Sequence, residues 1–594
     1  MILKRLCEAA ERFDFPPAGY TEGPIKWLID LKVDGRLLGF TKLSETDKPI
    51  DRGKLMRHPA TPVQRTSGVE AQLLADKTDY VLGFVPQDAD ERTADRIGQC
   101  HAAFLELLQT CAADAPEAPM AAVVTYLREH LDPAGFPEDL ERGDTLTFRV
   151  GGRILIDEPC VRAHWAERVS EIRIDRGGEQ GTCLVCGRVA PIADRHPGKI
   201  KRVPGGQTAG CAIVSANASA YESYGLEAAL TAPTCWDCAR DYANVLSALL
   251  SSDRHSFRIF EQIAYVFWTR EDADFSVATL LSAPQPEDVR ELLDSVQDGR
   301  SRRSVESGDF YALALSGSGG RVVIRDWLET TVEAARRNIA RYFRAQEIVD
   351  LDGQPGEPIK LMALMGALIP SVGRDPWKQL PPNLAAGVVR AALTGGNLPD
   401  QLLHRAVGRA RSESDTKELQ GRTIRGQKMT RQRAALIKLS MILSSHAKEG
   451  FDVTPEMNPQ IDDPAYLCGR LLAVLESIQR TAIPGAKATL VDRYYGTASS
   501  APASVFGNLI RQAQAHLGKL RKTQGGAHYR LQQQLEDIAA KLPQFPNTLT
   551  LIDQGKFGLG YYQQRAADRA DRDDAVAAKR AKNEENAGED ASDV

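Results

Sequence analysis

Four cysteines in two pairs, Cys183-Leu-Val-Cys186 and Cys235-Trp-Asp-Cys238, are the residues whose type and spacing point most directly to chemistry. A C-x2-C knuckle turns both sulfurs to one side of a tight turn, and Gly187 follows the first pair as such a turn favours. Two knuckles offer four thiolates in a tetrahedron, the arrangement zinc prefers. Four protein ligands would fill the shell, so the zinc would be structural rather than catalytic. The 48 residues between the pairs exceed a simple ribbon, and the intervening segment must fold as a unit. His196 and Cys211 stand there as substitute ligands. Two pairs of reduced, buried thiols are the alternative reading.

Between the knuckles runs a glycine-rich basic loop, Arg195 to Gly210. Residues 183–211 hold five Lys/Arg and one Asp, a net of +4. Glycines let backbone N–H groups approach phosphates, and Lys199, Lys201 and Arg202 would neutralise them. Gln207 and Thr208 add neutral donors for sugars or base edges. A solvated surface loop accounts for the same composition. Upstream, Arg65, Thr66 and Ser67 precede Gln72 and an expected helix beginning at Leu73 and Leu74. Hydroxyls at a helix N-terminus suit a phosphate, Arg65 suits a guanine or a narrow minor groove, and Gln72 suits a base edge. A capped helix with one solvated arginine is the plainer account.

Further on, residues 401–450 carry eleven Lys/Arg against four acids, a net of +7. Arg422, Arg425, Lys428, Arg431 and Arg433 recur at helical spacing and would track a nucleic-acid backbone, or form a charged helix face. Arg493-Tyr-Tyr495, with Arg511, Lys519, Arg521 and Lys522, mixes cations and aromatics as single-strand binders do. The tyrosines suit bundle packing equally.

Enzyme signatures are missing. Ser316-Gly-Ser-Gly-Gly-Arg321 lacks the Gly-Lys-Ser/Thr of a phosphate-binding loop and the third glycine of a dinucleotide fingerprint. No H-E-x-x-H or G-x-S-x-G occurs, and the ten histidines are scattered. The expected role is therefore not enzymatic.

These residues need elements to hold them. The 594 residues predict about three or four domains. The net charge of −5 excludes a uniformly basic coat but not a local basic groove. The N-terminus reads as an amphipathic helix without the apolar core of a signal peptide, and no run is long enough to span a membrane. A cytoplasmic location with reduced cysteines follows as the expectation.

The expected fold is α+β: a mixed N-terminal part with short strands and a zinc-knuckle insert, then an all-α C-terminal bundle. Residues 1–180 form the mixed part, with hairpins at Asp34-Gly35 and Gly151-Gly152. Residues 181–240 form the basic cysteine-rich insert. Residues 241–356 complete the N-terminal domain, with a helix over 242–270, a hairpin from Phe310 to Arg325 and a helix from Asp326 to Ala345. Residues 357–565 form the bundle. There Asp463-Pro464 starts a helix with Leu467, Leu471, Val474, Leu475 and Ile478 on one face and polar residues opposite. Residues 566–594 read as a disordered or frayed charged tail.

Six blocks in order resemble one known family, the large subunit of the type I-C CRISPR surveillance complex (Cascade). They are Gln64–Asp76 with Asp79–Gly83; Ala190–Pro197 with Gln207–Gly210; Ser215–Gly225; Phe310–Ser316; Phe545-Pro-Asn; and Gln554–Gln563. Gln64 departs from the basic residue usual in the family, and the complete cysteine pairs depart from its central block, so zinc rests on spacing alone.

The resemblance implies a subunit that reads a protospacer-adjacent motif in duplex DNA beside a guide RNA. It implies help in opening the duplex, a hold on the displaced strand and recruitment of a separate helicase-nuclease. Backbone, crRNA-processing and small subunits are the implied partners. It also implies that a small subunit is made from an internal start, for which Met457 is suitably placed. A zinc-stabilised scaffold and a metal-dependent nuclease are the competing classes.

Overall fold

A computed structural model describes residues 2–17, 19–43, 51, 53–60, 68–86, 89–114, 119–175, 180–216, 218–271, 274–297, 308–370, 379–413, 417–419, 422–424, 427–444, 453–486 and 488–590. The chain divides into two compact units, Met1–Lys201 with Gln207–Ala248, and Arg202–Gly206 with Leu249–Val594. The class is α+β, with short-stranded sheets early in the chain and mostly helix later.

The first unit is built on strands β1 (Tyr20–Ile25), β2 (Trp27–Leu31), β3 (Leu37–Lys42), β4 (Lys54–Pro59), β5 (Asp76–Lys77), β6 (Thr145–Val150) and β7 (Arg153–Ile154). The main sheet runs β3-β2-β6-β5, with β7 paired to β6 and β2 parallel to β6. Both expected hairpins form. Gly151 and Gly152 adopt φ of 56° and 85°, the left-handed pair that a two-residue turn requires. Parallel register sets Asp30 beside Arg149, and the arginine forks onto the carboxylate at 2.5 and 2.8 Å. The helix Glu91–Asp114 buries Ile97, Cys100, Phe104, Leu108 and Cys111, a three- and four-residue spacing that keeps one face on the core. Phe104 stacks on Phe148 of the sheet.

The expected helix at Leu73 and Leu74 does not form. Both leucines are fully buried in irregular chain, and Leu74 takes φ 59°. The Asp76 carboxylate accepts the Gln72 N–H at 2.8 Å, offering the backbone a local bond that competes with a helix. Strands β8 (Gln180–Thr182) and β9 (Val189–Pro191) form a small antiparallel pair that carries the first cysteine knuckle between them.

The second unit opens with an antiparallel meander, β10 (Ser256–Ile259), β11 (Ile263–Thr269), β12 (Asp309–Ser318) and β13 (Arg321–Thr331). This corrects the helix expected over 242–270: helix covers Trp236–Leu250, and strands follow. Every residue of β11 is buried. The run Ile263-Ala-Tyr-Val-Phe-Trp-Thr269 is aromatic and β-branched, and with both faces covered it loses the alternation that marks a strand. The hairpin's second strand also outlasts its expected end at Arg325. The helix begins only at Val332, where the Thr331 hydroxyl accepts the Ala334 N–H at 3.1 Å.

Among the remaining described residues the regular structure is helical apart from a short hairpin, β14 (Lys417–Leu419) with β15 (Arg422–Ile424). At the centre lies Pro464–Ala482. Asp463 caps it, its carboxylate accepting from Ala465 and Tyr466 N–H at 3.0 and 3.2 Å. Leu467, Leu471, Val474, Leu475 and Ile478 are buried as expected, but so is the rest of the circumference. Its polar residues are paired inside: Arg470 donates to Gln564 at 2.8 Å, and Glu476 accepts from Arg480 and Tyr561, each at 2.7 Å. The partner helix Leu551–Asp590 runs past the expected start of the tail, with Ala566 and Asp568 buried. Among the described residues no helix is long and apolar enough to cross a membrane.

Candidate metal centre and nucleic-acid interface

The two knuckles meet. Cys183 and Cys186 come from the turn between β8 and β9, and Cys235 and Cys238 from the start of the helix Trp236–Leu250. Each offers one sulfur, and all four lie within 4.8 Å of one another. Cys186 and Cys235 sulfurs are 3.9 Å apart. A tetrahedron with metal–sulfur bonds of about 2.3 Å has sulfur–sulfur edges of about 3.8 Å, so the Cys186–Cys235 edge already has the length a zinc-sized ion requires, and the whole set lies close enough to close around one. All ten cysteines are free thiols, so no disulfide competes for these sulfurs.

The surroundings suit thiolates. Cys183 sulfur accepts N–H bonds from Val185 at 3.4 Å and Cys235 at 3.3 Å. Gly187, at φ 75°, closes the turn by donating its N–H to the Cys183 carbonyl. Partial burial raises the Cys186 thiol, but hydrogen bonds from the Arg188 side chain and backbone and from Cys183 and Cys238 bring it down to about 6. Cys235 and Cys238 are held high. Four thiols so close cannot all ionise unaided, and a dication held there would supply the missing charge. Arg188 and Cys7, whose thiol donates to the Cys238 carbonyl at 3.4 Å, complete the surroundings. Neither was singled out from the sequence: Arg188 lies two residues beyond the knuckle, where its spacing could have drawn attention, whereas Cys7 is 231 residues from its partner and left no local signal.

Neither substitute ligand joins the cluster. His196 Nδ1 pairs with the Tyr242 hydroxyl at 2.6 Å, and burial lowers its imidazole to about 4. Cys211 is buried where its backbone bridges that of Ile200.

The basic loop is exposed where its cations Lys199, Lys201 and Arg202 lie, and the neutral Gln207 faces solvent with them. Ile200 and Cys211 exchange backbone hydrogen bonds at 2.8 Å and close the loop's base. Arg202 is held at φ 62°, unusual for a residue with a side chain. Gln72 is half-buried. Arg65, Thr66 and Ser67 lie outside the described residues, as does Arg425.

The cations near residue 430 do not share one helical face. Arg422 stands in β15, and the helix starts only at Arg431. Arg433 is buried, donating to Glu413 at 2.8 Å, and Lys428 is buried with its ammonium on the Glu413 carbonyl. Arg431 binds the carbonyls of Ile348 and Glu357. These three cations brace the fold rather than line a groove. Arg493, Arg511 and Lys519 are exposed. Arg511 also donates to Asn508 at 2.8 Å and Lys519 to the Ala482 carbonyl at 2.8 Å. Tyr495 is buried against Phe557 and Tyr561, which assigns it to packing.

The chain thus brings together a four-cysteine cluster able to hold a metal ion, an exposed basic loop, and a helical bundle with cations on its surface. The model of the family described as CRISPR-associated protein (Cas_Csd1) matches residues 3–568. The chain belongs to this family, in agreement with its resemblance to the type I-C large subunit, and is a CRISPR-associated Cascade component. No curated protein matches the chain.

Proposed function

We propose that this chain is the motif-reading large subunit of an RNA-guided interference complex and works by binding, without catalysis of its own. The observation that carries the reading is the family match over residues 3–568. In this account Arg65, Thr66, Ser67 and Gln72, with the loop bearing Lys199, Lys201, Arg202 and Gln207, contact the protospacer-adjacent motif. Guide pairing reads the rest of the target. Arg422, Arg425, Arg493, Arg511 and Lys519 line the path of the opened DNA and stabilise the R-loop. A separate helicase-nuclease is recruited to cut. Cys183, Cys186, Cys235 and Cys238 hold zinc, which fixes the fold around the basic loop and supplies no reactive position.

The bundle after Met457 supports a separately made small subunit of 138 residues. The helix Pro464–Ala482 packs chiefly on helices that follow it, while its main partner Leu551–Asp590 also packs on Gln401–Ser412 and Arg431–Ile442 ahead of Met457. Silent recoding of the start region, with Met457 replaced, removes the short product if the assignment is right. Persistence of a product near that length refutes it.

The binding reading is tested by duplex affinity of the reconstituted complex across a salt series. Neutralised phosphates release counterions, so log K falls with log salt by about 0.9 per contact. Replacing Lys199, Lys201 and Arg202 with alanine should weaken binding and flatten that slope by roughly one per lost contact. An unchanged slope leaves the loop without a role and favours a scaffold. DNA cleavage by the purified chain with Mg2+ or Mn2+ would favour the nuclease.

A further inference from the structure

In the second unit, the segment Arg202–Gly206 lies against the tip of the β12–β13 hairpin. The Gly317 N–H donates to the Pro204 carbonyl at 2.6 Å, and Gly206 bridges Gly319 in parallel. The contact is backbone on backbone. A Cβ on Gly317 would lie 2.5 Å from Gly206 Cα and 2.7 Å from the Gly205 carbonyl carbon. On the other side, Arg258 of β10 donates to the Arg202 carbonyl at 3.2 Å and holds Glu261 at 2.8 Å. Inside the hairpin, Arg325 Nε donates to the buried Ser316 hydroxyl at 2.8 Å. Two supports therefore grip five residues, and between them Arg202 keeps a left-handed backbone with its side chain in solvent. Such strain persists only where the surroundings over-determine it.

We infer that the Ser316–Arg321 hairpin tip and Arg258 are positioning elements for the nucleic-acid loop, holding Arg202–Gly206 in one conformation so that Arg202 meets a DNA phosphate. This rests on the reading of the loop as a DNA contact. It gives a purpose to the Ser316-Gly-Ser-Gly-Gly320 run, which matches no phosphate-binding fingerprint. The glycines serve close approach of two backbones, as glycine does where a side chain would hold them apart. Preorganisation raises affinity by removing the ordering cost from the binding step.

The test compares wild type, Gly317→Ala, Arg258→Ala and Ser318→Ala in the full chain, by tryptic cleavage after Lys201 and Arg202, thermal unfolding and duplex binding of the assembled complex. Gly317 has no positive φ, so alanine acts there through the overlap alone. Gly317→Ala and Arg258→Ala should speed cleavage within the loop and weaken duplex binding toward the level of Arg202→Ala, with unfolding and guide-RNA content unchanged. Ser318→Ala, on an exposed residue, should change neither. If Gly317→Ala does not fold, Arg258→Ala, which removes a hydrogen bond without adding bulk, decides alone. Unchanged cleavage overturns the inference. Faster cleavage with wild-type DNA affinity also overturns it when Arg202→Ala weakens binding. Unchanged binding in Arg202→Ala as well would instead mean that the loop reading has failed.

Discussion

Gly469 and Gly518 both lie inside helices, yet alanine should act on them in opposite directions. A helix interior favours alanine over glycine by roughly 1 kcal/mol. At Gly518, in Phe506–Thr523, a new Cβ meets nothing within 4 Å, so this gain should appear undiminished. At Gly469 a Cβ would lie 2.8 Å from the Phe557 carbonyl carbon and 2.9 Å from Tyr561 N, closer still to the Phe557 oxygen. The helices cross reciprocally here, because a Cβ on Gly560 would meet the Tyr466 carbonyl, its carbon at 3.0 Å. These neighbours are backbone and have no rotamer to change, so the helices must separate. Overpacking of this kind costs about 1–3 kcal/mol, and rigid neighbours place it at the upper end. After the propensity gain, Gly469→Ala should destabilise by about 2 kcal/mol, while Gly518→Ala should stabilise by up to about 1 kcal/mol. Urea unfolding followed by far-ultraviolet circular dichroism, on the transition that loses most helix, measures both. Stabilisation by Gly469→Ala comparable to Gly518→Ala would refute the close crossing.

Cys183→Ser should lower bound zinc from one per chain to substoichiometric levels and expose the insert to proteolysis; full metal content by elemental analysis would contradict the four-cysteine site. Glu413→Ala strands the buried Arg433 and should cost about 3–5 kcal/mol, read as a shift of the same denaturation midpoint. Burial raises the Glu476 carboxyl, but Arg565, Arg480 and the Tyr561 hydroxyl together bring it below its ordinary 4.5. With the folded value depressed, its stabilisation is full above pH 4.5 and lost as pH falls through the folded value. Glu476→Gln should therefore flatten the acid limb of the stability profile, and an unchanged limb would place the acid sensitivity elsewhere.

Much of the local architecture was legible because it is set by neighbours in sequence. Asp463-Pro464 announced a helix, the glycine pair at Gly151 announced a hairpin, and the C-x2-C spacings announced the thiol cluster. Failures came where distant partners decide. Buried on both faces, β11 carried no alternation to distinguish it from helix. Lys428, Arg431 and Arg433 looked like a solvent-facing series, yet their partners are one carboxylate and a set of backbone carbonyls. Charge spacing alone does not say which way a cation points. The grip of the β12–β13 tip on Arg202–Gly206 joins segments about a hundred residues apart and leaves only glycines as its trace, which read equally well as an ordinary turn.

The central claim is that this chain reads a short DNA motif. Its most direct test is selection from target duplexes with randomised flanks by the guide-RNA-loaded complex, assembled with and without the chain. The account predicts enrichment of one flanking motif only when the chain is present, and loss of that enrichment when Lys199, Lys201 and Arg202 are replaced together. Motif-independent binding, or the same selectivity without the chain, would contradict it.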